Sequence, residues 1–395
     1  MDIAIHTLTS PLHDENSVEK ATKEFLDGMN VDFILRGGDF SDYGSHSLDL
    51  IFVRTGGTEG LFKKLFLDLL AKSQRPFYIL TSGKSNSLAA SMEILSFLRQ
   101  KGLAGEIIHG SNAYMTQRIL LLAKVGEARR QLKGMRLGVV GKPSDWLISS
   151  NADYDVVRSR LGVDLVDVGI DELIETVKSQ PVVQEKCPNI PKALLASWPG
   201  AISIYHGLKS LVEKHNLNGF TIRCFDLLSA VHNTGCLALA RLNAEGVVAG
   251  CEGDVPAMLS MLLAKVLLGS SGFQANPSSI DVDNGEIVFA HCTIPLDMVE
   301  HFELDTHFES GIGIGVRGFV EEGPVTLFKV SGDLSRSFIA EGELLRCQAN
   351  PSLCRTQLVV RLCDKNLTDY FLTNPIGNHH IILKGHHKAL LQQIL

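Results

Sequence analysis

The order of apolar and polar positions divides the chain into three textures. From residue 1 to about 133, apolar runs at 2–9, 31–36, 48–55, 76–82 and 106–109 alternate with amphipathic stretches at 61–72, 88–101 and 113–133. Runs of that length read as strands, and apolar residues spaced three and four apart read as helices. Such alternation predicts a parallel sheet covered on both faces. A second series follows, with strands at 135–140, 163–168, 220–225 and 247–249 and helices at 171–179, 202–215, 235–243 and 257–268. Segment 186–199 carries three prolines and reads as a surface connection. Beyond about 270 the helical period fades. Short β-rich runs at 286–291, 312–317, 325–330, 357–362 and 379–383, broken by Gly, Asn and Pro, predict an antiparallel barrel or sandwich closed by a helix from about 388. The expected class is α/β: two consecutive doubly wound parallel-sheet domains, 1–133 and 134–269, then a β-rich, barrel-like domain at 270–395.

Composition narrows the function. A chain of 395 residues, 45% hydrophobic and 21% charged, is long enough for several cores and ordinary for a globular protein. Its formal charge of -7 argues against a nucleic-acid partner, because phosphate recognition wants a basic face. The longest apolar run, near 258–268, is interrupted by Lys265 and predicts no membrane span. Met1 to His6 reads as a first strand and not as a signal peptide. Eight cysteines without a C-x-x-C pair are expected to be reduced thiols in the cytoplasm.

Candidate chemistry collects at the ends of strands. The stretch 246–256, Gly-Val-Val-Ala-Gly-Cys-Glu-Gly-Asp-Val-Pro, reads as strand, acidic turn and helix start. In an open α/β sheet ligands sit at the carboxyl ends of strands, so Glu252 and Asp254 are placed to hold a metal or move a proton. The same acids could simply cap the helix. Asp226, in Cys224-Phe225-Asp226, ends the neighbouring expected strand. His291 and the pair His379-His380 lie at strand ends of the third domain, although a single His on an apolar strand also serves as a hydrogen-bonded core residue. Strand alternation sends His379 and His380 to opposite faces, so one ring at most reaches a shared site. Glu309 and Asn378 are candidate contacts to a polar ligand. Carboxylates with one or two imidazoles suit a divalent cation such as Mn²⁺. The Gly83-Lys84-Ser85 turn is not a P-loop, since Tyr78 stands where that motif needs glycine.

With these residues on the page, the chain resembles the L-fucose isomerase and L-arabinose isomerase superfamily. The likeness is carried by 235–263, by Ala290-His291-Cys292, and by Asn374-Pro375-Ile376-Gly377-Asn378-His379-His380. It implies a metal-dependent ketol isomerase that interconverts an aldose and its ketose through a cis-enediol. By the resemblance, Asp254 and His379 match metal ligands and Asp226 stands where the family has a glutamate, one methylene longer. Asp226 and Asp254 are then ligands and proton carriers. Glu252, His291, Glu309 and Asn378 are expected near the sugar. The resemblance also implies Mn²⁺ as cofactor, a monosaccharide substrate and self-association as a trimer or hexamer. The shortened acid at Asp226 keeps open an inactive sugar-binding or regulatory homologue, and an enediolate can also collapse as in a lyase or epimerase.

Overall fold

The computed structural model describes residues 1–394 except 182, 184, 188 and 189. The last two fall within the expected connection at 186–199 and lie outside the described residues. The chain folds as two compact units, Met1–Arg130 and Gln131–Leu395.

In the first unit, strands β1 (Ile3–Leu8), β2 (Ile34–Gly37), β3 (Leu48–Val53), β4 (Phe77–Thr81) and β5 (Gly105–Ile108) form one parallel sheet in the order β2-β1-β3-β4-β5. All six residues of β3 are buried, which explains why its sequence is an unbroken apolar run and not an alternation. Helices Glu59–Lys72 and Ser87–Gln100 bring Phe62, Phe66 and Ile94 to one core cluster of the unit.

The second unit holds a four-stranded parallel sheet and a barrel. Strands β6 (Arg136–Val140), β7 (Asp164–Val168), β8 (Gly219–Ile222) and β9 (Val248–Cys251) run in the order β7-β6-β8-β9. After β9 comes the helix Val255–Leu268, eleven of whose fourteen residues are buried. A helix apolar on every side belongs inside a core, which is why its amphipathic signal in the sequence is weak.

Eight more strands follow: β10 (Phe273–Asp281), β11 (Glu286–His291), β12 (His301–Asp305), β13 (Gly315–Phe319), β14 (Gly323–Val330), β15 (Ser337–Cys347), β16 (Thr356–Leu362) and β17 (His380–Lys384). Six close into an antiparallel barrel, β10-β11-β16-β15-β14-β17, while β12 and β13 pair separately. Closure removes every sheet edge and settles the choice between barrel and sandwich. Phe273, Phe289, Leu327, Leu358 and Ile382 share its core cluster. Among the described residues no helix is long and apolar enough to cross a membrane.

Candidate active site

The site grows from the turn after β9. Asp254 caps the helix Val255–Leu268, its Oδ1 accepting the amide of Ala257 at 2.8 Å, with Pro256 in the first turn. The two residues before it take left-handed backbone conformations, φ 62° at Glu252 and 73° at Gly253. A side chain at Gly253 would put Cβ 2.3 Å from the carbonyl oxygen of Lys142, so glycine is required. Glu252 has no such exemption, and a strained non-glycine residue is a feature of functional turns. Its carbonyl accepts the amide of Ser144 at 2.9 Å, and its Oε2 accepts the indole N–H of Trp146 at 2.7 Å. The turn is thus held by the loop that follows β6.

Two imidazoles from the barrel meet Glu252. Its Oε1 lies 3.6 Å from His291 Nε2 and 3.5 Å from His379 Nε2. The His291 and His379 ring centroids are 5.4 Å apart. Ligand atoms of Glu252, His291 and His379 all lie within 4.8 Å of one another. Behind them, His379 Nδ1 is 2.9 Å from Asp254 Oδ2. Lys329 Nζ is 3.3 Å from each oxygen of Asp254, and both side chains are buried.

The electrostatics follow from this packing. Burial alone would raise the carboxyl of Asp254, but the charge of Lys329 and the hydrogen bond from His379 outweigh it and hold it at about 2. For Glu252, burial is likewise overcome, here by the charge of His379 and by the facing His291 imidazole, and its pKa falls below the usual range. Asp254 therefore only accepts, so His379 Nδ1 carries a proton and Nε2 is the atom turned toward Glu252. Nε2 is the one buried side-chain nitrogen among the described residues without a hydrogen-bond partner. A buried polar atom left unpaired is costly, and here it points at a carboxylate and a second imidazole. A carboxylate behind a histidine that offers its other nitrogen is the usual support of a metal-bound imidazole. Lys329 and the His379 imidazolium balance the two carboxylates, and loss of the His379 Nε2 proton leaves one negative charge in excess, which a divalent cation would take up.

The remaining expected residues distribute around this cluster. His380 turns away, as alternation requires, and its Nε2 pairs with the hydroxyl of Tyr370 at 3.0 Å. Glu309 is exposed, and desolvation together with the charge of Glu252 raises its carboxyl above the ordinary value. Asn378 donates to Asn276 Oδ1 at 3.0 Å and lines an open cleft of about 450 Å³ with Trp146, Ser150, Pro277 and Phe371. Asp226 is not brought to the imidazoles. The strand expected to run to 225 stops at Ile222, Asp226 opens the short helix Asp226–Val231, and its Oδ1 lies 3.2 Å from Arg223 Nε.

Four participants were not singled out in the sequence as site residues. Trp146 stacks edge-on against Phe225 at 4.8 Å, and Phe225 against His307 at 5.6 Å, forming an aromatic wall. Burial, and then the charge of His291, pushes the His307 ring down to about 4. Lys329 was legible: a lysine inside the apolar run Leu327-Phe328-Lys329-Val330 has to find an acid.

With the geometry in place, the comparisons can be weighed. No family model matches the chain. It is 25% identical over 199 residues to a sulfoquinovose isomerase of Clostridium sp. (strain MSTE9), covering 47% of this chain and 42% of that protein. To a sulfoquinovose isomerase of Alkalicoccus urumqiensis it is 22% identical over 278 residues, 66% of this chain and 63% of the relative. One from Priestia aryabhattai is 23% identical over 232 residues, 55% and 52% of the two chains. The resemblance to the L-fucose and L-arabinose isomerase superfamily holds. The matches span about half the length of these curated relatives.

Proposed function

We propose that this protein is a metal-dependent ketol isomerase that interconverts an aldose and its ketose through a cis-enediol. The observation that carries the reading is the orphaned, buried His379 Nε2 meeting Glu252 and His291. Glu252, His291 and His379 would hold the cation, and Asp254 would orient the His379 ring. A divalent ion there supplies the positive charge that polarises a carbonyl and steadies enediolate charge.

The chain's own groups do the rest. Trp146 fixes Glu252 through Oε2 and, with Phe225, offers an apolar wall to a sugar face. Proton transfer between adjacent carbons needs a carboxyl with appreciable proton affinity. Glu309, raised above its ordinary value, suits that task better than Asp254, which is held at about 2 by Lys329 and His379. Asp226 and Asp254 remain the carriers implied by the superfamily, with Asp254 as a ligand, so the variants below separate the assignments. The relatives' name makes sulfoquinovose the first sugar to test, and the cleft lined by Trp146 and Asn378 has room for a monosaccharide. Manganese as the ion, a trimer or hexamer as the assembly and a cytoplasmic setting are parts of the proposal drawn from the resemblance.

The test is turnover with Mn²⁺ across a panel of aldoses including sulfoquinovose, run in D₂O. Isomerisation with deuterium entering at the carbon beside the carbonyl supports the reading. Sugar binding with neither product nor exchange would make the protein a sugar-binding homologue, a reading favoured by the engagement of Asp226 with Arg223. Cleaved or epimerised products would point to a lyase or epimerase.

A further inference from the structure

We propose that His6, Asp42 and His46 form a second divalent-cation site, of the Zn²⁺ or Co²⁺ class, within the first unit. It is independent of the isomerase reading. Ligand atoms of these three side chains lie within 4.8 Å of one another.

The argument turns on which ring nitrogens are free to bind. His6 is fully buried in β1, and its Nδ1 lies 2.8 Å from the backbone carbonyl oxygen of Asp39. A carbonyl only accepts, so Nδ1 carries the hydrogen and Nε2 holds the lone pair of the neutral ring. Yet Nε2 faces Asp49 Oδ1 at 3.1 Å, lone pair against carboxylate. A positive centre has to lie between or beside them, either a proton or a metal ion. His46 repeats the arrangement. Its Nδ1 is 2.8 Å from the same Asp49 oxygen, and its Nε2 lies 3.6 Å from Asp42 Oδ2. Each ring is therefore held at Nδ1 by an oxygen and turns Nε2 to a carboxylate, Asp49 for His6 and Asp42 for His46, and supporting oxygens of this kind orient metal-bound imidazoles.

The surroundings fit an ion. Phe40 stacks on His6 at 5.0 Å and Tyr43 meets it edge-on at 5.4 Å, giving an apolar backing. Among the charged groups around the two rings, Arg75 donates to the backbone carbonyl of His46 at 2.7 Å. Asp49 bridges them, Asp42 opens toward solvent, and Arg36 holds Asp42 at 2.9 Å and Asp39 at 3.2 Å. Arg36 is the competing cation, and its partial exposure leaves it free to release Asp42. Two imidazoles with one carboxylate, and Asp49 beside them, are a borderline-soft nitrogen and oxygen set that favours Zn²⁺ or Co²⁺ over Ca²⁺.

The experiment uses the full chain carrying His379→Gln, which removes the barrel imidazole, titrated with Zn²⁺ by calorimetry and with Co²⁺ by visible absorption. One ion per chain should bind, with the intense bands of low-coordinate Co²⁺, and His46→Gln or Asp42→Asn added to that background should weaken it by roughly a hundredfold. Asp42 lies in a partly exposed loop, so Asp42→Asn serves even if His46→Gln fails to fold. No ion bound by the His379→Gln protein, or an ion indifferent to both added changes, overturns the inference. A wild-type protein that binds one ion, lost with His46→Gln and kept with His379→Gln, upholds this site while removing the proposed active-site metal.

Discussion

The molecule contains two histidine and carboxylate clusters that look alike in composition and differ in what they leave unpaired. Around His6 and His46 in the first unit, all four ring nitrogens face an oxygen. Around Glu252 in the second, His379 Nε2 has no hydrogen-bond partner, while Asp254 behind it is locked to Lys329. The first network can be completed by protons alone. The second points an unsatisfied atom at a carboxylate. The cluster in the second unit should therefore bind a cation more tightly, since an ion there displaces the one proton of His379 Nε2 and in the first unit has to displace protons and Arg36.

The largest effect expected is that of His379→Gln. It should remove the tighter of the two binding events and reduce isomerase turnover by a factor of about a thousand or more, as loss of a metal ligand does. Unchanged tight binding in that variant would erase the distinction between the clusters. Next comes Lys329→Met, which strands a buried carboxylate. A loss of about 3–5 kcal/mol in unfolding free energy, measured with denaturant, is expected for breaking such a pair from one side. If stability falls by less than about 1 kcal/mol, Asp254 is not held in the way described.

Ligand identity separates the acids. Glu252→Gln should weaken Mn²⁺ by roughly a hundredfold while Asp226→Asn leaves affinity alone, and Asp254→Asn should act through the orientation of His379 with an effect of about tenfold. The reverse ranking, with Asp226 dominant, would restore the superfamily's ligand set and demote Glu252.

A pH series sharpens the contrast. Burial opposes the His379 imidazolium, but the Glu252 charge and the Asp254 hydrogen bond prevail and push its pKa up to about 9. A histidine raised above its unfolded value of about 6.5 stabilises the fold in full below that pH, and the contribution disappears as pH rises through about 9. Chelator-treated protein should thus lose thermal stability across this window. Metal affinity should rise over the same window by up to about tenfold per pH unit, because the ion displaces that proton. Parallel trends would show that His379 is not where proton and ion compete. The smallest effect is Trp146→Phe, which frees one oxygen of Glu252 and should cost about tenfold in turnover with little change in stability.

Much of this could be read from the sequence. The alternation before residue 110 specified the first sheet because its inner strands β1, β3 and β4 are largely buried and its helices each keep an exposed face. The turn at Glu252 and the histidine at 379 were visible because acids and imidazoles gather at strand ends there, although Asp254 also has the capping role that the sequence allowed. What escaped depends on backbone details that residue types do not encode. Asp226 looked like a strand-end acid, but the chain leaves β8 at Ile222 and coils into a short helix, which hands the carboxylate to Arg223. The parts played by Glu252 and Asp254 depend on the left-handed φ of Glu252, which turns one acid toward the histidines while the other caps a helix. The pairing of His6 with His46 and Asp49 arises because β1 and β3 are neighbours in the sheet, although their sequences lie some forty residues apart.

The most direct measurement is pulsed electron paramagnetic resonance of Mn²⁺ bound to His46→Gln protein, where the first-unit cluster is disabled. With histidine nitrogens labelled, coupling to two imidazole nitrogens is predicted, from His291 and His379. Coupling to a single nitrogen, or to none, would contradict the account.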